Sequence, residues 1–221
     1  GVPAREQQVT RGQEVTLADE NALAVARATK GFMPEDEGHA LHDAGLLGGV
    51  VGPLLEIGSY CGKSAVYLGT AARDVGTVLF TVDHHHGSEE NQAGWENHDP
   101  EVVDARTGRM DTLPFLRRTI EDAGLEDHVV AVVGHSTTVA RHWSTLLGLL
   151  FIDGGHADDV AMADYAGWSG FVAPGGLLAI HDVFEHPADG GQAPFRVWQR
   201  ACAEGFVPVS TTGSLRVLQR P

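Results

Sequence analysis

The sequence is poor in cysteine, in positive charge and in aromatic residues, and it has no long apolar run. Each shortage removes a class of protein. Two cysteines, Cys61 and Cys202, cannot staple a small fold. They read as free thiols of a protein in a reducing compartment, so a cytoplasmic location is expected. Lys and Arg number 15 against 30 Asp and Glu, a formal charge of −15. Such a surface lacks the clustered cations that phosphate needs, which speaks against nucleic acid and against an anionic membrane as partners. The longest charge-free stretch, Tyr165 to His181, is interrupted by Pro174-Gly175-Gly176. It falls short of the ~20 apolar residues of a membrane span. No basic-then-apolar leader pattern opens the sequence.

What is there suits a globular chain. The 221 residues are enough for one domain with an extension, and 43% apolar content supplies a core that a disordered chain would lack. Residues 1–14 are polar and patternless. Helices are expected over 16–30 and 36–47, the second ended by Gly48-Gly49. Residues 1–50 are thus expected to form a tail and a helical lid, with Met33 and Glu37 over the site. Residues 51–221 would form the catalytic, cofactor-binding domain. From residue 53, apolar runs at 54–57, 78–82, 129–133, 147–152 and 177–181 alternate with helical segments at 62–73, 111–123 and 157–170. Pro194 opens a last helix, and strands near 206–211 and 215–219 flank Gly213-Ser214. The expected fold class is α/β. It is a Rossmann-like, mostly parallel seven-stranded sheet with helices on both faces and a C-terminal hairpin that puts an antiparallel strand at its end.

The strand ends carry the chemistry. In an open α/β sheet, ligands bind beyond the carboxyl ends of the strands, where strand order reverses. Here those ends hold Glu56, Asp83, Gly134-His135-Ser136, Asp153 and His181-Asp182. Carboxylates are disfavoured in a buried sheet, so their recurrence suggests work on a ligand. Helix N-capping by Asp is the alternative at any one end. The first strand runs into Gly58-Ser59-Tyr60-Cys61-Gly62, a Gly-x-x-x-Gly turn. It lacks the middle glycine that admits a pyrophosphate. Asp83 at the next strand end can accept both hydroxyls of a ribose. Together they suggest a nucleoside-bearing ligand without a pyrophosphate.

At these residues the sequence resembles a known family, the class I S-adenosylmethionine-dependent O-methyltransferases in their small metal-dependent branch. The run Glu56-Ile57-Gly58-Ser59-Tyr60-Cys61-Gly62-Lys63-Ser64-Ala65-Val66 is similar to the glycine motif of catechol O-methyltransferases. Phe151-Ile152-Asp153-Gly154-Gly155-His156 and the segment from Pro174 to Asp182 resemble the later motifs of bacterial sugar O-methyltransferases. The run from Asp83 to Gln92 resembles the 1-O-methyltransferases of methylmannose polysaccharide synthesis. The motifs span about residues 35–220. The resemblance implies that Glu56, Gly58, Ser59 and Tyr60 line the methionine part of S-adenosylmethionine, with Ser64 nearby. It implies that Asp83 holds the ribose and that His135 and Ser136 lie beside the adenine. Asp153 and Asp182 would bind a divalent metal, with His181 in the place of a third ligand. A homodimer is also implied.

Two carboxylates suit Mg²⁺, whereas a nitrogen from His181 shifts preference toward Mn²⁺ or Co²⁺. His181 either binds the metal or orients Asp182. His156 stands where the catechol enzymes carry a lysine base, and imidazole can take a proton near its ordinary pKa of ~6.5. Its alternative role is to cap a helix beginning at Ala157. The loop after Asp83 would help form the acceptor pocket, with His84 and Trp95 among its contacts and Glu37 as a further one. The expected reaction is metal-dependent methylation of a hydroxyl on a small molecule, a carbohydrate first and a catechol-like phenol second. Competing readings are a nicotinamide-dependent oxidoreductase, opposed by the missing glycine and the hairpin, and a silent cofactor-binding module, opposed by Asp153, His156 and Asp182 together. A metal-dependent hydrolase lacks a second ligand cluster.

Overall fold

The computed structural model describes residues 17–88, 91–94, 98–155 and 157–221, with the side chains of 17–19 left aside. His156 and Trp95, two residues singled out above, lie outside the described residues. The element order is α1 (Leu17–Ala28), α2 (Glu35–Gly49), β1 (Leu54–Ile57), α3 (Lys63–Val75), β2 (Leu79–Asp83), α4 (Leu113–Asp122) and β3 (Val129–Val133). There follow α5 (Ser136–Ala140), β4 (Leu147–Ile152), α6 (Asp158–Trp168), β5 (Val172–Ile180), α7 (Ala193–Ala203), β6 (Val207–Thr212) and β7 (Leu215–Gln219). No helix among the described residues is long and apolar enough to cross a membrane.

The seven strands form one sheet in the order β3-β2-β1-β4-β5-β7-β6. The first five are parallel. The central strands β1 and β4 are buried on both faces, as their unbroken apolar runs require, whereas β3 at the edge leaves Val130 and Val133 exposed. Side chains alternate between two cores. Leu54, Leu79, Leu149 and Leu177 face helices α1 to α4, while Leu55, Val82, Leu150 and Leu178 face α5 to α7. The expected hairpin is present, but its antiparallel strand is not at the sheet's end. β7 inserts antiparallel between β5 and β6, so the outermost strand β6 runs in the same direction as the parallel set.

Three further boundaries differ from the sequence reading. Helix α2 runs through Gly48 and Gly49 and ends at Val50. These glycines serve close approach: a Cβ on Gly48 would stand 2.6 Å from the Gly148 carbonyl oxygen, so helix backbone rests on the backbone of β4. β5 begins at Val172 rather than after Gly176. Leu147 pairs with Val172 and Leu149 with Leu177, so residues 173–176 bulge between two pairings where Pro174 need donate no ladder bond. Finally, α1 and α2 also pack into the core of the domain. Ala22, Ala26, Met33, Leu41 and Ala44 belong to the core on the α3 face. Only the segment between the two helices, Lys30 to Phe32, reaches the cleft described next.

Candidate active site

The carboxyl ends of the strands enclose a cleft of about 1100 Å³. It lies over β1 and β4, where the strand order reverses. Gly58, Ser59, Tyr60, Ser64, Asp83, His84, His135, Ser136, Asp153, His181 and Asp182 all line it. Glu56 and Glu37 do not, for reasons that the hydrogen bonds make plain.

The turn after β1 is built for close approach. Gly58 has φ +90, and a Cβ there would stand 2.2 Å from the Asp153 carbonyl oxygen. Tyr60 takes the left-handed region at φ +47, a conformation that non-glycine residues rarely hold. Asp83 pins this turn. Its Oδ2 accepts from the Ser59 and Tyr60 N–H groups at 2.9 and 3.0 Å, and its Oδ1 accepts from His85 N–H at 2.7 Å. A carboxylate offers about four lone-pair sites, so one remains for a ligand hydroxyl.

Glu56 stands behind the wall rather than in it. It is fully buried, accepting from Ser64 Oγ at 2.9 Å and from Thr81 Oγ1 at 2.6 Å. Burial pushes its carboxyl up to about 8, against the pull of those two donors. Ser64 and Ser59 therefore present the surface that was expected of Glu56. His84 belongs to the β2–β3 side of the cleft, because its ring lies 4.6 Å from that of His135. His135 is the residue that the resemblance set beside the adenine, so His84 stands next to it in the cleft wall. Burial lowers its pKa.

The other end of the cleft gathers Asp153, His181 and Asp182. One ligand atom from each lies within 4.8 Å of the other two. His181 Nδ1 is 3.0 Å from Asp153 Oδ1 and 3.5 Å from Asp182 Oδ2. Asp182 reaches this position through a left-handed backbone, φ +54. His181 Nε2 is bound to Glu37 Oε2 at 2.6 Å. Glu37 is therefore no acceptor contact. It is 3% exposed, and its Oε1 also accepts from Ser214 N–H at the turn between β6 and β7. Burial opposes the charge on Glu37, yet the bonds from His181 and Ser214 hold its carboxyl below the usual value. Burial likewise opposes a charged His181, but the surrounding carboxylates outweigh it and raise the imidazole to about 12.

The donor set fits a divalent cation. Two carboxylates and one imidazole nitrogen converge, and the second nitrogen donates to a buried carboxylate, the usual support of a metal-binding histidine. His156, the expected base, lies outside the described residues. The residue after it, Ala157, stands at the N-cap position of α6.

The sequence reading missed several wall residues. Lys30 bonds Asp99 Oδ2 at 2.6 Å and also pairs with Glu101, bridging the α1–α2 segment to the loop before α4. Phe32 packs its ring 5.8 Å from that of Tyr60. Phe184 and Asp164 line the cleft as well. No local pattern marked them, because each sits in a loop or on a helix whose partner is distant in sequence.

Solved structures share this architecture. Rv0187 from MTB, solved with its cofactor bound, is 17% identical and superposes with a TM-score of 0.61, covering 91% of this chain and 88% of that one. The O-methyltransferase NovP is 15% identical with a TM-score of 0.66, covering 92% and 97%. An O-methyltransferase from Bacillus cereus in complex with SAH is 18% identical with a TM-score of 0.60, covering 91% and 90%. At such identities the likeness is one of fold. The family described as "Methyltransferase domain" matches residues 55–183, from the first strand through the Asp182 turn. That is more than half of the sequence, and the chain belongs to this methyltransferase family.

Proposed function

We propose that this protein transfers a methyl group from S-adenosylmethionine to a hydroxyl oxygen of a small polar acceptor, a sugar or oligosaccharide, with a divalent metal at Asp153, His181 and Asp182. One observation carries the reading. The cleft has two chemically distinct ends, the Asp83-pinned glycine turn and the Asp153–His181–Asp182 cluster, facing each other across the strand-order reversal. Ser59, Tyr60 and Ser64 would hold the methionine part, Asp83 the ribose, and His135 and Ser136 the adenine.

Asp153, Asp182 and His181 Nδ1 would hold the ion, with Mg²⁺ favoured by the carboxylates and Mn²⁺ or Co²⁺ by the nitrogen. Bound there, the ion supplies a Lewis acid that eases loss of the acceptor's hydroxyl proton. Glu37 keeps the His181 ring turned so that Nδ1 faces the two aspartates. His156, three positions after Asp153, is the proposed base that takes the proton. Attack of an anionic oxygen on a sulfonium methyl cancels charge, so the protein's main task is alignment and exclusion of water. Phe32 and Phe184 supply apolar wall for that purpose.

A phenolic acceptor is the second reading, favoured by Phe184 and Pro194 in the wall that also holds Asp182. The deciding experiment incubates the protein with S-adenosylmethionine, Mg²⁺ and a panel of sugars and phenols, and reads products by mass spectrometry. A sugar heavier by one CH₂ is expected. Methylation of phenols alone would replace the acceptor, and methylation of neither would refute the reading.

A further inference from the structure

The buried acid Asp164 has no part in the reading above. It stands on α6, is 4% exposed and lines the cleft. Its Oδ1 accepts a hydrogen bond from Ser136 Oγ at 2.6 Å. That hydroxyl in turn accepts from Trp168 Nε1 at 2.8 Å, and Trp168 is wholly buried. The carboxylate is therefore held in one orientation from behind. Its other oxygen, Oδ2, makes no hydrogen bond among the described residues. It lies against Gly154, also in the cleft wall, where an added Cβ would come within 2.8 Å of it. Only a glycine at 154 leaves this oxygen uncovered. Burial raises the Asp164 carboxyl above its ordinary value. An acceptor held in one orientation and opening into the cleft is matched by a ligand that brings an N–H or O–H donor.

The position selects the donor. S-adenosylmethionine carries four kinds: the ammonium, the two ribose hydroxyls, and the exocyclic amine of adenine. The ribose falls to Asp83 at the end of β2, and the ammonium to the methionine end near the glycine turn. Asp164 is bonded to Ser136, the first residue of α5, just after β3, the strand beside β2. The donor that remains for this corner is the adenine amine. We infer that Asp164 Oδ2 accepts a hydrogen bond from the exocyclic amine of the cofactor's adenine and so selects adenine over a 6-oxo purine, an inference that rests on the cleft being an S-adenosylmethionine site.

Calorimetric titration of S-adenosylhomocysteine and S-inosylhomocysteine tests it without turnover. The inosyl compound replaces the amine by a carbonyl, which would turn a lone pair toward a carboxylate. The wild-type protein is expected to prefer the adenosyl compound by about 100-fold or more, since a site built around a donor rejects an analogue that lacks it. In Asp164→Asn the amide can offer its NH₂ to the carbonyl, so the preference should fall at least about tenfold. Asp164→Ala should also flatten it. A role confined to holding Ser136 would weaken both compounds equally and leave the ratio intact. Equal wild-type affinities, or an unchanged ratio in folded Asp164→Asn, would overturn the inference while leaving the cofactor reading in place. Failure of S-adenosylhomocysteine to bind the wild-type protein would remove both.

Discussion

Glu37 on α2 and His181 after β5 are 144 residues apart in sequence and 2.6 Å apart in space. Each is 3% exposed. The pair sets the His181 ring from behind, leaving Nδ1 beside Asp153. Glu37→Gln is expected to weaken Mn²⁺ binding by about 10–100-fold, the usual effect of losing a ligand's supporting carboxylate. Affinity for S-adenosylhomocysteine, measured without metal, should not move. Glu37→Leu, which strands His181 among the remaining acids, should cost about 3–5 kcal/mol in urea unfolding. Normal Mn²⁺ affinity in Glu37→Gln would confine Glu37 to folding.

Chelation should separate the two ends of the cleft. Asp83 holds the glycine turn, whereas the cation would be held by Asp153, His181 and Asp182. EDTA is therefore expected to abolish methyl transfer while leaving the S-adenosylhomocysteine titration nearly unchanged. Full turnover in EDTA would end the metal part of the mechanism.

Asp83 holds the Ser59–Tyr60 turn and the start of the next loop with three backbone bonds. Asp83→Ala should weaken cofactor binding by about 1–3 kcal/mol, because it leaves a ribose hydroxyl and three backbone donors without a charged acceptor. A lower melting temperature should accompany it, and metal affinity should hold. An unaltered calorimetric affinity would take the ribose away from Asp83.

Glu56 has its folded pKa raised to about 8, above its ordinary 4.5. The folded state thus binds the proton more tightly than the unfolded state. Stability from this group is greatest at low pH and declines as pH rises from about 4.5 through about 8. Glu56→Gln cannot ionise, so its melting temperature relative to wild type should climb across that interval. A difference that stays flat from pH 5 to pH 8 would show that Glu56 is charged in the fold.

His156→Ala should lower kcat by about 10²–10⁴-fold if this histidine is the base. Cofactor affinity and melting temperature should barely change, whereas a helix-capping role would cost about 1 kcal/mol of stability and leave kcat nearly whole. The wild-type rate should rise through the histidine range, and that limb should vanish in the variant. Near-normal kcat with an unchanged pH profile would move proton removal elsewhere.

Much of the fold was legible because strands buried on both faces write themselves as apolar runs, and because Asp83, Asp153 and Asp182 interrupt those runs where a sheet interior would not tolerate them. The turn after β1 was legible too, since its close approach to Asp153 needs Gly58 for a local reason. Distant pairings were not. Nothing in the spacing of α2 distinguishes Glu37 from its exposed neighbours Glu35 and Asp36, because its role depends on a ring and a turn more than a hundred residues away. Gly48-Gly49 misled for a related reason. A glycine that ends a helix and one that admits a neighbouring backbone look alike until Gly148 is placed against it. Pro174-Gly175-Gly176 reads locally as a turn, and only the pairing of Val172 with Leu147 reveals it as a bulge within a strand.

The donor that Ser214 gives to Glu37 has a consequence for biosynthesis. The two residues are 177 positions apart, and the turn bearing Ser214 follows every helix and six of the seven strands. A ribosome delivers Glu37 well before Ser214. Until the β6–β7 hairpin emerges and β7 slots beside β5, the Glu37 carboxylate lacks one of its buried donors. Closing so long a loop is entropically slow and is repaid only by long-range contacts. Until that hairpin closes, the acid–imidazole pair that turns His181 toward Asp153 is only partly held, so this end of the cleft depends on one of the longest loop closures described in the fold.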